Sequence, residues 1–136
     1  MLVGEKIRVI LGPEETGGAY EILETFSKPG GGPPLHAHYN QDEVLHFLEG
    51  EYLVRVGEQT AQYGVGGTAF IPRGTPHAYK YLGTSTGRLL AVFNAGGFTA
   101  LCQAVNAVPA AEMSPARLAE IARAHHGAVL GPRLEV

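Results

Sequence analysis

Between Gly30 and Gly50 the chain reads GGGPPLHAHYNQDEVLHFLEG, and four groups able to hold a metal, His36, His38, Glu43 and His46, fall within eleven residues. Imidazole nitrogens with a carboxylate oxygen form a donor set for divalent first-row transition metals. In an extended chain, side chains two apart point the same way, so His36 and His38 can aim at one point. Glu43 is an odd number of residues from His38 and would face the other way in a continuous strand. Tyr39-Asn40-Gln41-Asp42 reads as a turn or bulge that corrects the parity. From Glu43 onward, Leu45 and Phe47 share its face, whereas His46 falls on the other with Val44 and Leu48, pointing away from the site. A helix through these residues would pair Glu43 with His46 instead. The upstream glycines and prolines, the short length and Gly50 argue against it, and the helical HExxH pattern is absent.

A fourth ligand must come from elsewhere, and GGTAFIPRGTPHAYKY offers His77. A strand ends at Pro72, Arg73-Gly74-Thr75-Pro76 makes a tight reversal, and His77 opens the next strand. Proline and glycine in that turn restrict how His77 is presented, which suits a preorganised ligand. Tyr79 and Tyr81 share its face by period two and, with Phe47, are candidate walls of a substrate pocket, core packing being the alternative for each.

These residues need a β scaffold, and the first two thirds of the chain supply one. IRVIL (7–11), AYEILETFSK (19–28), EVLHFLEG, EYLVRVG, TAQYG, TAFIP, HAYKYLG and RLLAVFNAG follow at short intervals, punctuated by glycine. Short strands at this spacing indicate a sandwich or barrel rather than βαβ units. In 19–28, Tyr20, Ile22, Glu24 and Phe26 share one face. The last third changes character. Residues 97–107 read as a short helix. Ser114 then caps a second, with Pro115 at its first position, Gly127 just past its end, and a packing stripe of Leu118, Ile121, Ala122 and His125.

With 136 residues, 45% apolar and 17% charged, the chain has the size and composition of one globular domain, and no internal repeat divides it. A net charge of −3 with no basic run argues against nucleic-acid and anionic-membrane partners. Cys102 is the single cysteine, so no intrachain disulfide forms; it reads as a small buried hydrophobe. The opening MLVGEKIRVIL does not read as a signal peptide, and no run is long enough to span a bilayer, so the expected location is cytoplasmic. His125 and His126 read as helix-capping residues. Arg73, Glu5, Glu14, Glu15 and Glu58 read as solvated surface.

The two histidine stretches resemble the motifs of the cupin superfamily. Gly30, His36, His38, Glu43 and Gly50 match every fixed position of its first motif. Gly66, Pro72, Gly74 and His77 match its second, with Tyr81 where the family often has asparagine. Together with the AGGF segment, they look like the small single-domain cupins of the quercetin-dioxygenase-like type. The resemblance implies an all-β cupin jelly-roll β-barrel of roughly six to eight strands. One domain would span 1–136, with the barrel at about 5–97 and one or two short helices in a C-terminal segment at about 97–127. It implies one divalent transition metal (Fe, Mn, Ni, Co, Cu or Zn) held by His36, His38, Glu43 and His77 at the barrel mouth. The implied function is a metal-dependent, dioxygenase-like oxidoreductase acting on a small enolic or aromatic substrate, with Glu43 also serving as catalytic base. The alternatives are a non-redox isomerase or cyclase and a non-catalytic small-molecule-binding cupin. An enzyme is favoured because a metal site with open positions is costly to keep for binding alone. The expected assembly is a homodimer, since exposed sheet edges need cover.

Overall fold

Apolar runs punctuated by glycine and proline become strands whose buried and exposed residues alternate, and the two buried faces pack against each other. The computed structural model describes residues 5–135. Residues 1–4 and 136, which fall within the expected domain span and the opening stretch discussed above, lie outside the described residues.

One sheet contains β1 (Glu5–Leu11), β2 (Glu21–Ser27), β9 (Gly87–Asn94), β4 (Asp42–Glu49) and β7 (Thr68–Ile71), neighbouring in that order. The other runs β10 (Gly127–Arg133), β3 (Pro34–His38), β8 (His77–Tyr81), β5 (Tyr52–Val56) and β6 (Gln59–Tyr63). Every neighbouring pair is antiparallel. Two facing antiparallel sheets, with sequence-distant strands side by side, form the expected all-β jelly roll. The described strands number ten, more than the resemblance implied, because edge strands β1 and β10 extend the two sheets. Leu23, Leu45, Phe47, Tyr52, Ile71 and Leu89, each at most 1% exposed, fill the space between the sheets. In β2 the inward face is Glu21, Leu23, Thr25 and Ser27, while Ile22 and Phe26 on the other face are half-buried. Tyr20 precedes the strand and is exposed.

The C-terminal helices form near their expected positions. α2 (Phe98–Asn106) follows Gly97, and α3 (Pro115–Ala124) starts where the Ser114 hydroxyl accepts the Arg117 amide at 3.1 Å. A single-turn helix, α1 (Pro13–Thr16), follows β1. His125 closes α3, its Nδ1 bonded to the Ile121 carbonyl at 3.0 Å, in keeping with a capping role. Gly127 then does more than end a helix. It opens β10, which pairs with the strand carrying His36 and His38. A Cβ at Gly127 would stand 2.8 Å from the Ala37 carbonyl oxygen, so glycine permits this close pairing. Gly131 and Pro132 mask the strand in the sequence, yet proline is tolerated here because β10 is an edge.

Phe47 and Tyr81 belong to this core and not to a pocket wall. Phe47 packs on Tyr52 and Tyr63, with ring centroids 4.9 and 5.4 Å away. Tyr81 lies beside Tyr52 at 5.1 Å, in a niche left by three glycines. A Cβ would meet the Tyr81 side chain at 2.4 Å from Gly50, 2.1 Å from Gly83 and 2.7 Å from Gly87. Gly50 also sits at φ +86°, a conformation L side chains rarely adopt. Gly50→Ala is therefore expected to destabilise the fold by about 2–4 kcal/mol through combined backbone strain and overpacking. Denaturant unfolding of wild type and variant measures this directly.

Candidate metal centre and its cavity

The four expected ligands come from both sheets and meet between them. His36 and His38 stand two apart on β3, and His77 opens β8 directly opposite His36 in the ladder. All three imidazoles therefore share the inward face of one sheet. Glu43 comes from β4 in the facing sheet, inward like Leu45 and Phe47, after the chain reverses at Tyr39 and Asn40. One ligand atom from each residue lies within 4.8 Å of those of the other three. Three of the residues are buried and His36 is half-buried. His46 faces outward as expected, its Nδ1 bonded to the Thr68 hydroxyl at 2.8 Å.

Local hydrogen bonds orient these rings. His36 Nδ1 is 2.8 Å from the Pro34 carbonyl and His77 Nδ1 is 2.9 Å from the Thr75 carbonyl. Carbonyls only accept, so both nitrogens carry hydrogen and both Nε2 atoms are directed to the cluster. The turn before His77 is pinned on two sides. Gly74 N–H donates to the His38 carbonyl at 2.7 Å, and Arg73 N–H donates to Asp42 Oδ1 at 2.9 Å. The Arg73 guanidinium also reaches Asp42 at 3.3 Å, so Arg73 is more than solvated surface. It ties the turn carrying His77 to the strand carrying Glu43. The amide and guanidinium of Arg73 hold the Asp42 carboxyl below its ordinary pKa.

Electrostatics keep two of the imidazoles in the ligating form. Burial, reinforced by the neighbouring His77, pushes His38 down to about 3. Burial and then the two other imidazoles hold His36 well below its ordinary value. Both are neutral at neutral pH, the form in which imidazole binds metal. Burial alone would lower His77 too, but its hydrogen bond to Glu43 and the nearby carboxylate charge outweigh that and raise it. Its Nε2 lies 3.0 Å from Glu43 Oε1, and His38 Nε2 lies 3.7 Å from the same oxygen. His38 Nε2 is buried with no hydrogen-bond partner. A buried orphan beside a carboxylate and two more imidazoles fits a divalent transition metal, since an ion would satisfy it.

The cluster borders a mostly apolar cavity. Phe93 and Phe98 stack at 4.4 Å, and His38 meets each ring edge-on at 5.6 Å. Leu101 and Val105 of α2 and Leu118 of α3 close the apolar lining. Of the three candidate walls, Tyr79 lines this cavity, while Phe47 and Tyr81 do not. A strand advances about 3.3 Å per residue, so a side chain four positions beyond a ligand shares its face yet lies about 13 Å deeper. Phe93 and Phe98 take the aromatic role. Phe93 stands opposite Glu43 in the ladder, and Glu21 Oε2 fixes Phe98 by accepting the amides of Phe98 and Thr99 at 2.9 and 3.2 Å. Neither pairing has a signal in local spacing.

Glu5 is also not solvated surface. It is 3% exposed, lines the cavity, and accepts the Tyr79 hydroxyl at 2.7 Å and the Ser27 hydroxyl at 2.8 Å. Period two along EKIRVIL puts Glu5 on the face of Ile7, another cavity-lining residue, and that was the available signal.

A model of the cupin domain matches residues 24–93, about half of the chain and all four ligand positions. The chain is a cupin. It is 32% identical over 81 residues to an uncharacterized protein of Methanocaldococcus jannaschii, an alignment covering 59% of this cupin and 65% of that protein. The chain thus spans just under two thirds of that relative's length. Among solved structures, TT1209 from Thermus thermophilus is 35% identical with a TM-score of 0.55, covering 57% of this chain and 74% of that one. A predicted oxalate decarboxylase of Thermotoga maritima superposes with a TM-score of 0.63 at 22% identity, covering 68% of this chain and 81% of that one. At that identity the likeness speaks to fold alone.

Burial raises the Glu5 carboxyl of this cupin from 4.5 to about 7, against the opposing hydrogen bonds of Tyr79 and Ser27. Between those values the folded protein keeps a proton that the unfolded chain has lost, so stability falls as pH rises through the window. The loss amounts to at most about 3 kcal/mol. Glu5→Gln, which cannot ionise, is expected to gain up to that amount on wild type between about pH 5 and pH 8. Urea unfolding of both chelator-stripped proteins at the two pH values checks it.

Proposed function

We propose that this cupin is a metal-dependent enzyme acting on a small, largely apolar substrate with an enolic or phenolic hydroxyl, by dioxygenase-like oxidation. The observation that carries this reading is the convergence of four ligand atoms within 4.8 Å, one of them a buried orphan nitrogen, beside an apolar cavity. His36, His38, Glu43 and His77 would hold the ion. A divalent transition metal bound there supplies Lewis acidity and, if redox-active, a path for electrons between substrate and dioxygen. Both oxygen atoms then enter the organic product, so no external reductant is required.

The chain's own residues have definable tasks. Glu43 would also take the substrate's hydroxyl proton, since it is the carboxylate within the cluster. The carbonyls of Pro34 and Thr75 keep His36 and His77 oriented while that proton moves. Phe93 and Phe98 supply a flat apolar wall that fits an aromatic or enolic ligand and keeps water from it. Tyr79 lines the same space, its hydroxyl already engaged with Glu5.

Protein purified without added metal or chelator is expected to contain about one equivalent of Fe, Mn, Ni, Co or Cu per chain by mass spectrometry, lost in His77→Ala. The loaded protein is expected to consume oxygen with phenols or enols. Zinc as the sole metal would turn the reading to a non-redox isomerase or cyclase, and no metal even after reconstitution would turn it to a binding protein.

We further propose a cytoplasmic homodimer. The single cysteine supports the compartment. Supporting the dimer, edge strand β1 exposes Val9 and Ile10, each 44%, and the opposite edge strand β7 exposes Phe70. Light scattering at micromolar concentration is expected to give twice the chain mass; a monomer mass overturns the dimer.

A further inference from the structure

Glu43 is not the only carboxyl at the cavity. Glu5 enters from β1, and its environment is built rather than incidental. Oε1 accepts from the Tyr79 hydroxyl and Oε2 from that of Ser27, whose oxygen in turn accepts the Tyr52 hydroxyl at 2.8 Å. Three hydroxyls from three strands thus hold one buried carboxyl in place. Burying such a group costs several kcal/mol unless it is paired, and an aliphatic side chain would serve packing better. A carboxylate offers about four acceptor positions, so those two hydrogen bonds leave capacity on each oxygen.

The lining of the cavity carries two carboxyl groups, Glu5 and Glu43. Among the described residues lining the cavity there is no lysine or arginine. Arg133 exerts a minor pull on Glu5, but its guanidinium is bonded to the Gly30 carbonyl.

We propose that Glu5 selects the ligand of this site by charge, accepting a hydrogen bond from a neutral hydroxyl and repelling molecules that carry a carboxylate. The inference rests on the reading of the cavity as the substrate site. It deepens that reading by setting small organic acids, oxalate included, outside the substrate class. Glu5 lies outside the group of four ligand residues, and it acts as a specificity residue rather than as a metal ligand.

Phenol and benzoate test this, being of similar shape and differing in charge. Their affinities are measured by ligand-observed NMR titration at about pH 8, where Glu5 is ionised, on wild type and Glu5→Gln, each both metal-loaded and chelator-stripped. Wild type is expected to prefer phenol, and Glu5→Gln to raise the benzoate-to-phenol affinity ratio about tenfold or more in both forms. Glu5→Leu, which also removes the charge, must move the ratio the same way and covers the case in which glutamine disturbs the hydroxyl chain. A ratio unchanged in both variants, or wild type binding benzoate as tightly as phenol, overturns the proposal. Metal content is read separately. Loaded protein with an unchanged ratio defeats the role of Glu5 alone. Failure to load defeats the metal-enzyme reading, and the stripped-protein ratio still decides Glu5.

Discussion

Glu43 and His77 meet at 3.0 Å from opposite sheets, and that contact fixes how the two layers close at one end of the barrel. A carboxylate this buried needs partners, and it finds imidazoles facing it across the interior. The surrounding structure keeps it in register. Asp42, next to Glu43, grips the turn that delivers His77, and Gly74 in that turn bonds to the carbonyl of His38. Strain or slippage in any of these strands would move a ligand. One register shift would turn the ligands of that strand away altogether, because side chains alternate between faces.

The remainder of the interior divides along its length. Beyond the cluster, β4 and β8 continue into a sealed aromatic and aliphatic core, where Phe47, Tyr52 and Tyr81 leave no room for a ligand. On the other side of the cluster, α2 and α3 fold over the apolar cavity. The buried Glu21 carboxylate holds the start of α2 and therefore Phe98. The cluster thus sits where a packed core gives way to usable space.

Much of this was legible in local sequence, because local periodicity governs it. The grouping of His36, His38 and Glu43, the outward turn of His46, the Pro72–Pro76 reversal that presents His77 and the Ser114 cap all follow from spacing within a few residues, whereas joining His77 to the set came from the resemblance of the two motifs. What spacing cannot convey is depth along a strand and the order of strands in a sheet. Phe47 and Tyr81 had the correct face at the wrong depth, and Phe93 became a wall only because β9 lies beside β4. Glu5 was misread because charge suggests solvent, although its alternation with Ile7 pointed inward. β10 was hidden by Gly131 and Pro132, residues that an interior strand would reject and an edge strand accepts.

The placement of His46 bears on the denatured chain. His36, His38 and Glu43 lie within eight consecutive residues, so an unfolded chain still presents three donors to a passing cation, and His46, turned away in the fold, becomes an available fourth. His77, by contrast, joins only when distant strands pair. A cation in excess therefore binds both ends of the folding equilibrium, and it stabilises the native state only by the difference between a preorganised cup and a flexible histidine-rich loop. For this cupin the margin gained from metal rests chiefly on His77, the one ligand that the loop cannot supply.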